Sequence, residues 1–405
     1  MNRKPSLVAI FLTIFIDLVG FGIVIPLLPF YALNYQASAL EVTLLSTVFS
    51  LMQFIFAPFW GSLSDKYGRR PILLFSIVGN LVSYTVFAFS GSLLVLFISR
   101  IMAGTFSANF GAAQAYIADI TTKENRSKGM GIVGAAFGLG FIFGPAIGGV
   151  LSQYGFQVPG LAAVGLCVIN LFFAVFFLPE SYPKEARDKA VSGSHPKKPG
   201  LFSLFKNTFL LKKDKNHTFN LIMLFFLTVM GHAVFEATFA LLMAAQMNYD
   251  AKQVGYLFAL IGIVTAVIQG GLIGPLTKLA GSKKLIIAGL ILTAFSQLFL
   301  PFAKPDMVWM LIVLIITYSL GLAIFTPSAN AMISNSASEN EQGKILGISQ
   351  GFGSLARIIG PIWGGFAFGT ISHTAPFHTS ALLMVVALIL TVWYFRSLQK
   401  DGKTI

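Results

Sequence analysis

Charge is scarce in this chain. Asp, Glu, Lys and Arg make up 11% of its 405 residues, where soluble globular domains carry about a quarter. That shortfall excludes a water-soluble fold and a charge-rich disordered one alike. Cysteine is nearly absent: Cys167 stands alone, which excludes an intrachain disulfide and any multi-cysteine metal site. Phosphate loops of the form G-x-x-x-x-G-K-[ST] and zinc-binding H-E-x-x-H pairs are missing, so neither nucleotide hydrolysis nor zinc hydrolysis is indicated. No catalytic constellation, metal site or cofactor motif can be read in the chain. What fills it instead is hydrophobicity: 56% of residues are apolar and mean hydropathy is +0.79. That is the composition of a polytopic membrane protein. The net charge of +13 does not signal nucleic-acid binding, because no basic stripe with interleaved aromatics occurs and the cations sit in short loops.

Apolar runs long enough to cross a bilayer as helices fall near residues 7–32, 41–64, 71–90, 92–119, 126–152 and 159–178. A second set falls near 218–246, 251–279, 283–302, 306–334, 340–369 and 377–397. The first run follows Asn2-Arg3-Lys4 as a signal peptide would. It is too long for the apolar core of one and lacks a small-residue cleavage site, so it reads as the first span. Loops after the second and fourth spans carry Lys66, Arg69, Arg70, Lys123, Arg126 and Lys128, and those after the eighth and tenth carry Lys283, Lys284 and Lys344. Loops after the first, third and fifth have almost no Lys or Arg. This asymmetry places both termini in the cytoplasm. Trp60 and Trp393 are expected at the inner interface and Trp309 at the outer one.

Residues 179–217 break the pattern. They hold Pro183, Pro196 and Pro199 and nine Lys/Arg against four Asp/Glu, and read as a cytoplasmic linker between a first bundle at 1–178 and a second at 218–405. Within the linker, the apolar stretch 201–210 with basic flanks suits a short helix lying on the membrane surface. The two halves echo each other. Gly61 and Gly68 have counterparts at Gly274 and Gly281, although Lys278 stands where Asp65 stands. Gly140-x-x-x-Gly144-Pro145-x-x-Gly148-Gly149 is matched by Gly360-Pro361-x-x-Gly364-Gly365. The expected fold is therefore all-α, with twelve transmembrane helices in two pseudo-symmetric six-helix bundles.

The densest charged stretch is Gly61 to Pro71, which packs Asp65, Lys66, Arg69 and Arg70 beside Gly61 and Gly68. It must form a tight turn at a membrane surface, with the glycines permitting the reversal. Asp65 and Asp119 end their spans on the same side, so Arg69 and Lys66 are expected to pair with both. Such a cluster either gates a conformational change or is a solvated basic turn that only orients the chain.

Three motifs and one whole span resemble a known family. The order G-x-L-x-D-x-x-G-R-R at 61–70 resembles the signature turn of major facilitator superfamily transporters. Leu96-x-x-x-Arg100-x-x-x-Gly104 resembles their second signature, and the Gly140–Gly149 run a third, associated in that superfamily with antiporters. Asp17-x-x-Gly20-x-Gly22-x-x-x-Pro26-x-x-Pro29 is similar to the first span of twelve-helix drug:proton antiporters, tetracycline efflux proteins in particular. One departure bears on substrate: Ser83 stands where the tetracycline exporters carry a carboxylate. The resemblance implies the major facilitator fold, a gating role for the charged turn, and a central cavity lined by the first and seventh spans.

Ionisable residues at membrane depth are functional candidates by default. Asp17 lies roughly 15 Å into the first span and Arg100 roughly 12 Å into the fourth, at about 1.5 Å per residue. The two are expected to face each other, either as a proton carrier with its switching partner or as a permanent structural pair. In the second half Glu236 and His232 stand four apart on one face, and Arg357 lies midway along the eleventh span. Glu236 is the second titrating candidate, Arg357 its partner or a contact for substrate anions, and His232 a substrate contact or a structural residue. Gln53, Asn80, Asn109, Gln114 and Gln269 either line the cavity or bond between helices. Gly140, Gly144 and Gly148 share a face that lets another backbone approach, Gly149 adjoins it, and Pro145 can bend the helix, so the run is either ordinary small-residue packing or a bending, leak-tight seam between the two halves.

Together these readings predict a proton-coupled transporter in the cytoplasmic membrane of a bacterium, exporting amphipathic small molecules by alternating access. The proton is the coupling ion, no other cofactor is expected, and the partners are substrate, protons and membrane lipid, with a monomer as the working unit. The alternative is a transporter, including an importer, of a physiological metabolite or siderophore.

Overall fold

The computed structural model describes residues 5–122, 126–182, 216–336 and 342–400. Among these residues every regular element is helical, as a bilayer demands of a chain that must satisfy its own backbone hydrogen bonds. The first half comprises α1 (Leu7–Val24), α2 (Leu28–Asn34), α3 (Ala39–Tyr67), α4 (Arg69–Ala88), α5 (Leu93–Phe106), α6 (Phe110–Ile120), α7 (Arg126–Leu151) and α8 (Gln157–Phe177). The second comprises α9 (Asn216–Met247), α10 (Ala251–Val267), α11 (Ile273–Phe299), α12 (Val308–Asn335), α13 (Gln342–Thr370) and α14 (Ala375–Lys400). The surface helix expected at 201–210 lies outside the described residues.

Local chemistry sets the helix starts. Ser6 caps α1 by accepting the Val8 N–H at 3.2 Å, and Ser92 caps α5. Ser38 and Glu41 form a capping box at α3: the Ser38 N–H donates to the Glu41 carboxylate at 2.8 Å, and the Glu41 N–H returns to Ser38 Oγ at 3.3 Å.

Eleven continuous helical segments among the described residues are long and apolar enough to span a bilayer. One of them, Ala251–Phe302, holds 52 residues, about 78 Å of helix against a hydrocarbon core of about 30 Å. It is two spans joined at Gly281, whose φ of 76° breaks the helix. Counted so, the spans number the expected twelve. Gly281 is also the repeat partner of Gly68, where φ is 107°. Both positions adopt left-handed backbone that glycine alone takes up without strain. The charged turn is tighter than its sequence suggests. Helix α3 runs through Gly61 to Tyr67, and Gly68 alone makes the reversal into α4.

The described residues group into two compact units. One contains residues up to Ala37, residues 48–182 and Asp250–Ala259; the other contains Ser38–Thr47, residues 216–249 and Leu260 onward. The first unit's core gathers Ile10, Ile14, Leu73, Ile77, Ala112, Tyr116 and Ile117. The second's gathers Ile222, Phe225, Ile286, Leu290, Phe325, Ile333 and Met384. Trp60 belongs to the first core rather than to an interface belt: it is buried, and its indole N–H donates to the Thr105 carbonyl at 2.6 Å. Trp309 and Trp393 are exposed, as interfacial anchors should be.

Glycine contacts make the repeat physical. Within the first unit, a Cβ on Gly144 would sit 2.6 Å from Gly22 Cα, so α7 lies directly on α1, with Gly140 against Leu18 and Gly148 against Ile23. The neighbouring Gly149 faces another way, onto the start of α10, where a Cβ would lie 3.0 Å from the Lys252 carbonyl and 3.2 Å from Gly255 Cα. Within the second unit the pattern returns. Gly360 and Gly364 pack α13 on Met230, Val234 and Thr238 of α9, while Gly365 meets Leu40 and Thr43 at the start of α3. Three glycines of the first copy and two of the second thus join a span to the first span of its own half, and the last glycine of each copy receives a span of the other half. A Gly144→Val variant should lower stability by at least about 1–3 kcal/mol, the usual cost of overpacking. Gly165→Ala, with nothing within 4 Å of its Cβ, should be neutral or slightly stabilising. Thermal unfolding of the two purified variants in detergent checks the contrast, and equal melting would contradict it.

Candidate functional site

Three groups of polar residues interrupt the apolar helices, two in the first unit and one in the second. The charged turn is the most connected. Arg69, itself buried, donates Nη1 to Asp65 Oδ1 and to Ser64 Oγ, both at 2.6 Å, and Nε to Asp119 Oδ2 at 3.3 Å. One guanidinium thereby ties the ends of α3, α4 and α6, the fork geometry that arginine supplies and lysine does not. Lys66 does not share these acids as expected. Its ammonium lies 5.2 Å from the Tyr67 ring centroid, and the two ion pairs among the described residues both belong to Arg69. Arg70 donates to the Val175 carbonyl at 2.6 Å. Gly61 has open space around it, so crowding does not explain it.

Glu180, just past α8, completes the turn and is absent from the sequence-based candidates. Its carboxylate accepts the Arg69 N–H at 2.9 Å and the Arg70 N–H at 3.3 Å, capping α4 from a distant segment. A Cβ on Gly68 would collide with this carboxylate. Gly68 is therefore fixed twice, by its φ and by Glu180. Ser181 Oγ donates to Asp119 at 3.0 Å, Tyr182 lies under the Arg69 guanidinium at 4.6 Å, and the Tyr116 hydroxyl donates to the Pro179 carbonyl at 2.8 Å. The one available signal was an acid placed directly after an apolar run.

The second group surrounds Asp17. Its carboxylate accepts from Asn80 Nδ2 on α4 at 3.1 Å, and Asn80 Oδ1 accepts from Ser107 Oγ at 3.1 Å. Gln53 of α3 reaches the Ser107 carbonyl at 3.4 Å. Asn80 and Gln53 thus act as bonds between helices beside Asp17, with Ser107 as the unanticipated link. Arg100 does not pair with Asp17. It is buried with its guanidinium 5.2 Å from the Phe87 ring centroid, its Nε is 3.5 Å from Ser99 Oγ, and Nη2 has no partner. The expected pair does not form: Asp17 is engaged by Asn80 and Arg100 by the Phe87 face, while the Tyr84 ring packs on Gly20, one turn from Asp17. Ser83 turns inward and donates to the Gly79 carbonyl at 2.7 Å. Asn109 is buried in the short turn before α6, and Gln114 is exposed.

The third group lies in the second unit. His232 Nδ1 and the Tyr318 hydroxyl of α12 are 3.1 Å apart, and Tyr318 stacks on Phe235 with centroids at 4.0 Å. Glu236 and Arg357 are both exposed, although their helix neighbours Phe235 and Ala356 are buried. The two carry opposite charge but do not form an ion pair among the described residues. Gln269 sits in a π-turn at Ile268–Leu272 and donates to the Ala323 carbonyl at 3.4 Å, a bond between spans.

Twelve spans, an internal repeat, an arginine-locked turn and isolated charges within the spans define a multi-pass membrane transporter of small molecules. The sequence matches the family model described as Major Facilitator Superfamily over residues 10–273 and 221–404, and the chain belongs to that superfamily. It is 32% identical to the class C tetracycline resistance protein of Escherichia coli over 365 residues, covering 89% of each chain. It is 31% identical to multidrug resistance protein 2 of Bacillus subtilis (strain 168) over 400 residues, 97% of this chain and 96% of that one. Among solved structures it resembles the human organic anion transporter MFSD10 (TETRAN), with a TM-score of 0.72 and 25% identity over 96% of this chain and 100% of that one.

Proposed function

We propose that this protein is a proton-coupled exporter of amphipathic small molecules in the cytoplasmic membrane of a bacterium, with both termini cytoplasmic. The observation that carries this reading is the state of Asp17. It is a carboxylate within a span, held by the neutral amide of Asn80 and, among the described residues, in no ion pair with an arginine. A carboxylate locked to a guanidinium stays ionised, whereas one held by an amide can gain and lose a proton as its surroundings open and close. Relatives named for tetracycline and multidrug resistance support export of foreign compounds, and Ser83 argues for a substrate other than tetracycline. The Arg69 cluster supplies a latch at one end of the spans, made or broken as the transporter alternates.

A pH gradient imposed on inverted membrane vesicles should drive uptake of amphipathic dyes, and collapsing it should stop uptake within the assay time. Accumulation that persists without a gradient when ATP is supplied would overturn the proposal.

A further inference from the structure

Charges inside a span are costly unless they face protein partners or water. Glu236 and Arg357 have no such contact: neither makes an ion pair or hydrogen bond among the described residues, and the charge nearest in kind to each is the other, held at a distance. Both lie too deep to reach a headgroup. Arg357 is 15 residues from Gln342 and 13 from Thr370, about 20 Å from either end at 1.5 Å per residue. Glu236 is 11 residues from Met247, or about 16 Å.

Helix packing fixes their relation. Gly353 of α13 lies against Phe225 of α9, Gly360 against Met230 and Ala233, and Gly364 against Thr238. The two helices therefore run parallel in constant register, which sets Arg357 near the level of residue 229 and Glu236 near that of Gly364. The charges stand two helical turns apart, about 10 Å along the axes. Phe225, His232 and Glu236 recur along one stripe of α9, and Gly353, Arg357, Gly360 and Gly364 along one stripe of α13. The guanidinium lies toward Gly353, with Nη2 3.8 Å from where a Cβ there would be, and so leans away from the carboxylate. Aromatic rings flank the interval: Phe226 meets Phe352 edge-on, and His232 meets Tyr318.

We propose that Glu236 and Arg357 form a two-point site for zwitterionic amphipaths, with a cationic group at the carboxylate and an anionic group at the guanidinium about 10 Å away. The inference rests on the transport reading and names the substrate class of one site within it. It goes beyond assigning either residue alone, since a lone cation would leave Arg357 uncompensated and a lone anion would leave Glu236 so.

The test is binding without a gradient, so its outcome is independent of transport direction and proton coupling. The probe is the tripeptide phenylalanyl-alanyl-phenylalanine, whose ends are about 10 Å apart when extended. It is titrated calorimetrically into the full-length protein in nanodiscs, in four forms. The free peptide is zwitterionic, the methyl ester cationic, the N-acetyl peptide anionic, and the doubly blocked form neutral. The zwitterion should bind at least about tenfold more tightly than either singly charged form, as hydrogen bonds to charged groups imply. Glu236→Gln should erase the advantage of the free amine and Arg357→Gln that of the free carboxylate. The charge-preserving Glu236→Asp and Arg357→Lys should keep the ranking and show that the site still folds. Equal binding of the four forms, tightest binding by the neutral form, no binding by any form, or a ranking unchanged in both Gln variants would overturn the proposal.

Discussion

Asp17→Asn is expected to bind substrate with near wild-type affinity and to lose gradient-driven accumulation altogether. Asparagine preserves the shape of the side chain and can still bond Asn80 after a flip of one amide. What it removes is the ability to carry a proton. Because Arg100 is engaged with the Phe87 face and not with Asp17, the substitution leaves no newly unpaired cation, and folding should be unaffected. A tenfold loss of driven uptake corresponds to about 1.4 kcal/mol, and loss of the only carrier should exceed that by a wide margin. Downhill efflux of preloaded substrate should continue. Driven uptake at wild-type level in Asp17→Asn would transfer the carrier role to Glu236, where Glu236→Gln would then show the loss instead.

Arg69→Ala is expected to lower turnover by at least about tenfold while substrate affinity changes little. The guanidinium meets Asp65, Asp119 and Ser64 at once. Its removal takes the guanidinium away from two partly exposed carboxylates at once, and breaking a buried pair from one side costs about 3–5 kcal/mol before discounting for solvent. Side-chain exposures of 24% and 20% for the two acids place the cost well below that ceiling. Arg69→Lys should rescue only in part, since an ammonium cannot fork to the same three acceptors. Single-turnover transport and equilibrium binding on the same preparations separate rate from affinity. Unchanged turnover in both variants would reduce the turn to an orienting signal.

Much of this architecture was legible in the sequence because a bilayer writes its constraint directly into composition. Twelve apolar runs become twelve spans, and even the fused segment Ala251–Phe302 divides where Gly281 echoes Gly68. The glycine motif at 140–149 was legible as a close-packing face, but its direction was not. Only three-dimensional contacts reveal that Gly144 meets α1 while Gly149, five residues on, meets α10. Pairing of charges was read least well. Opposite charges on different spans suggest a bond, yet Asp17 bonds Asn80 while Arg100 lies against Phe87, and two turns of helix separate Glu236 from Arg357. Glu180 escaped notice because its partners are backbone N–H groups more than 100 residues away, and backbone donors leave no mark in sequence. The charged turn succeeded for the opposite reason: Asp65 and Arg69 are four apart and can bond within one reversal of the chain.

Proton movement by the purified protein in sealed proteoliposomes, with no ATP and a pH-sensitive dye inside, tests the central claim most directly. Adding a transported amphipath to one side of the wild-type protein should move protons in the opposite direction to the substrate, and Asp17→Asn should move substrate downhill without them. Protons travelling with the substrate, or wild-type transport with no proton movement at all, would contradict the account.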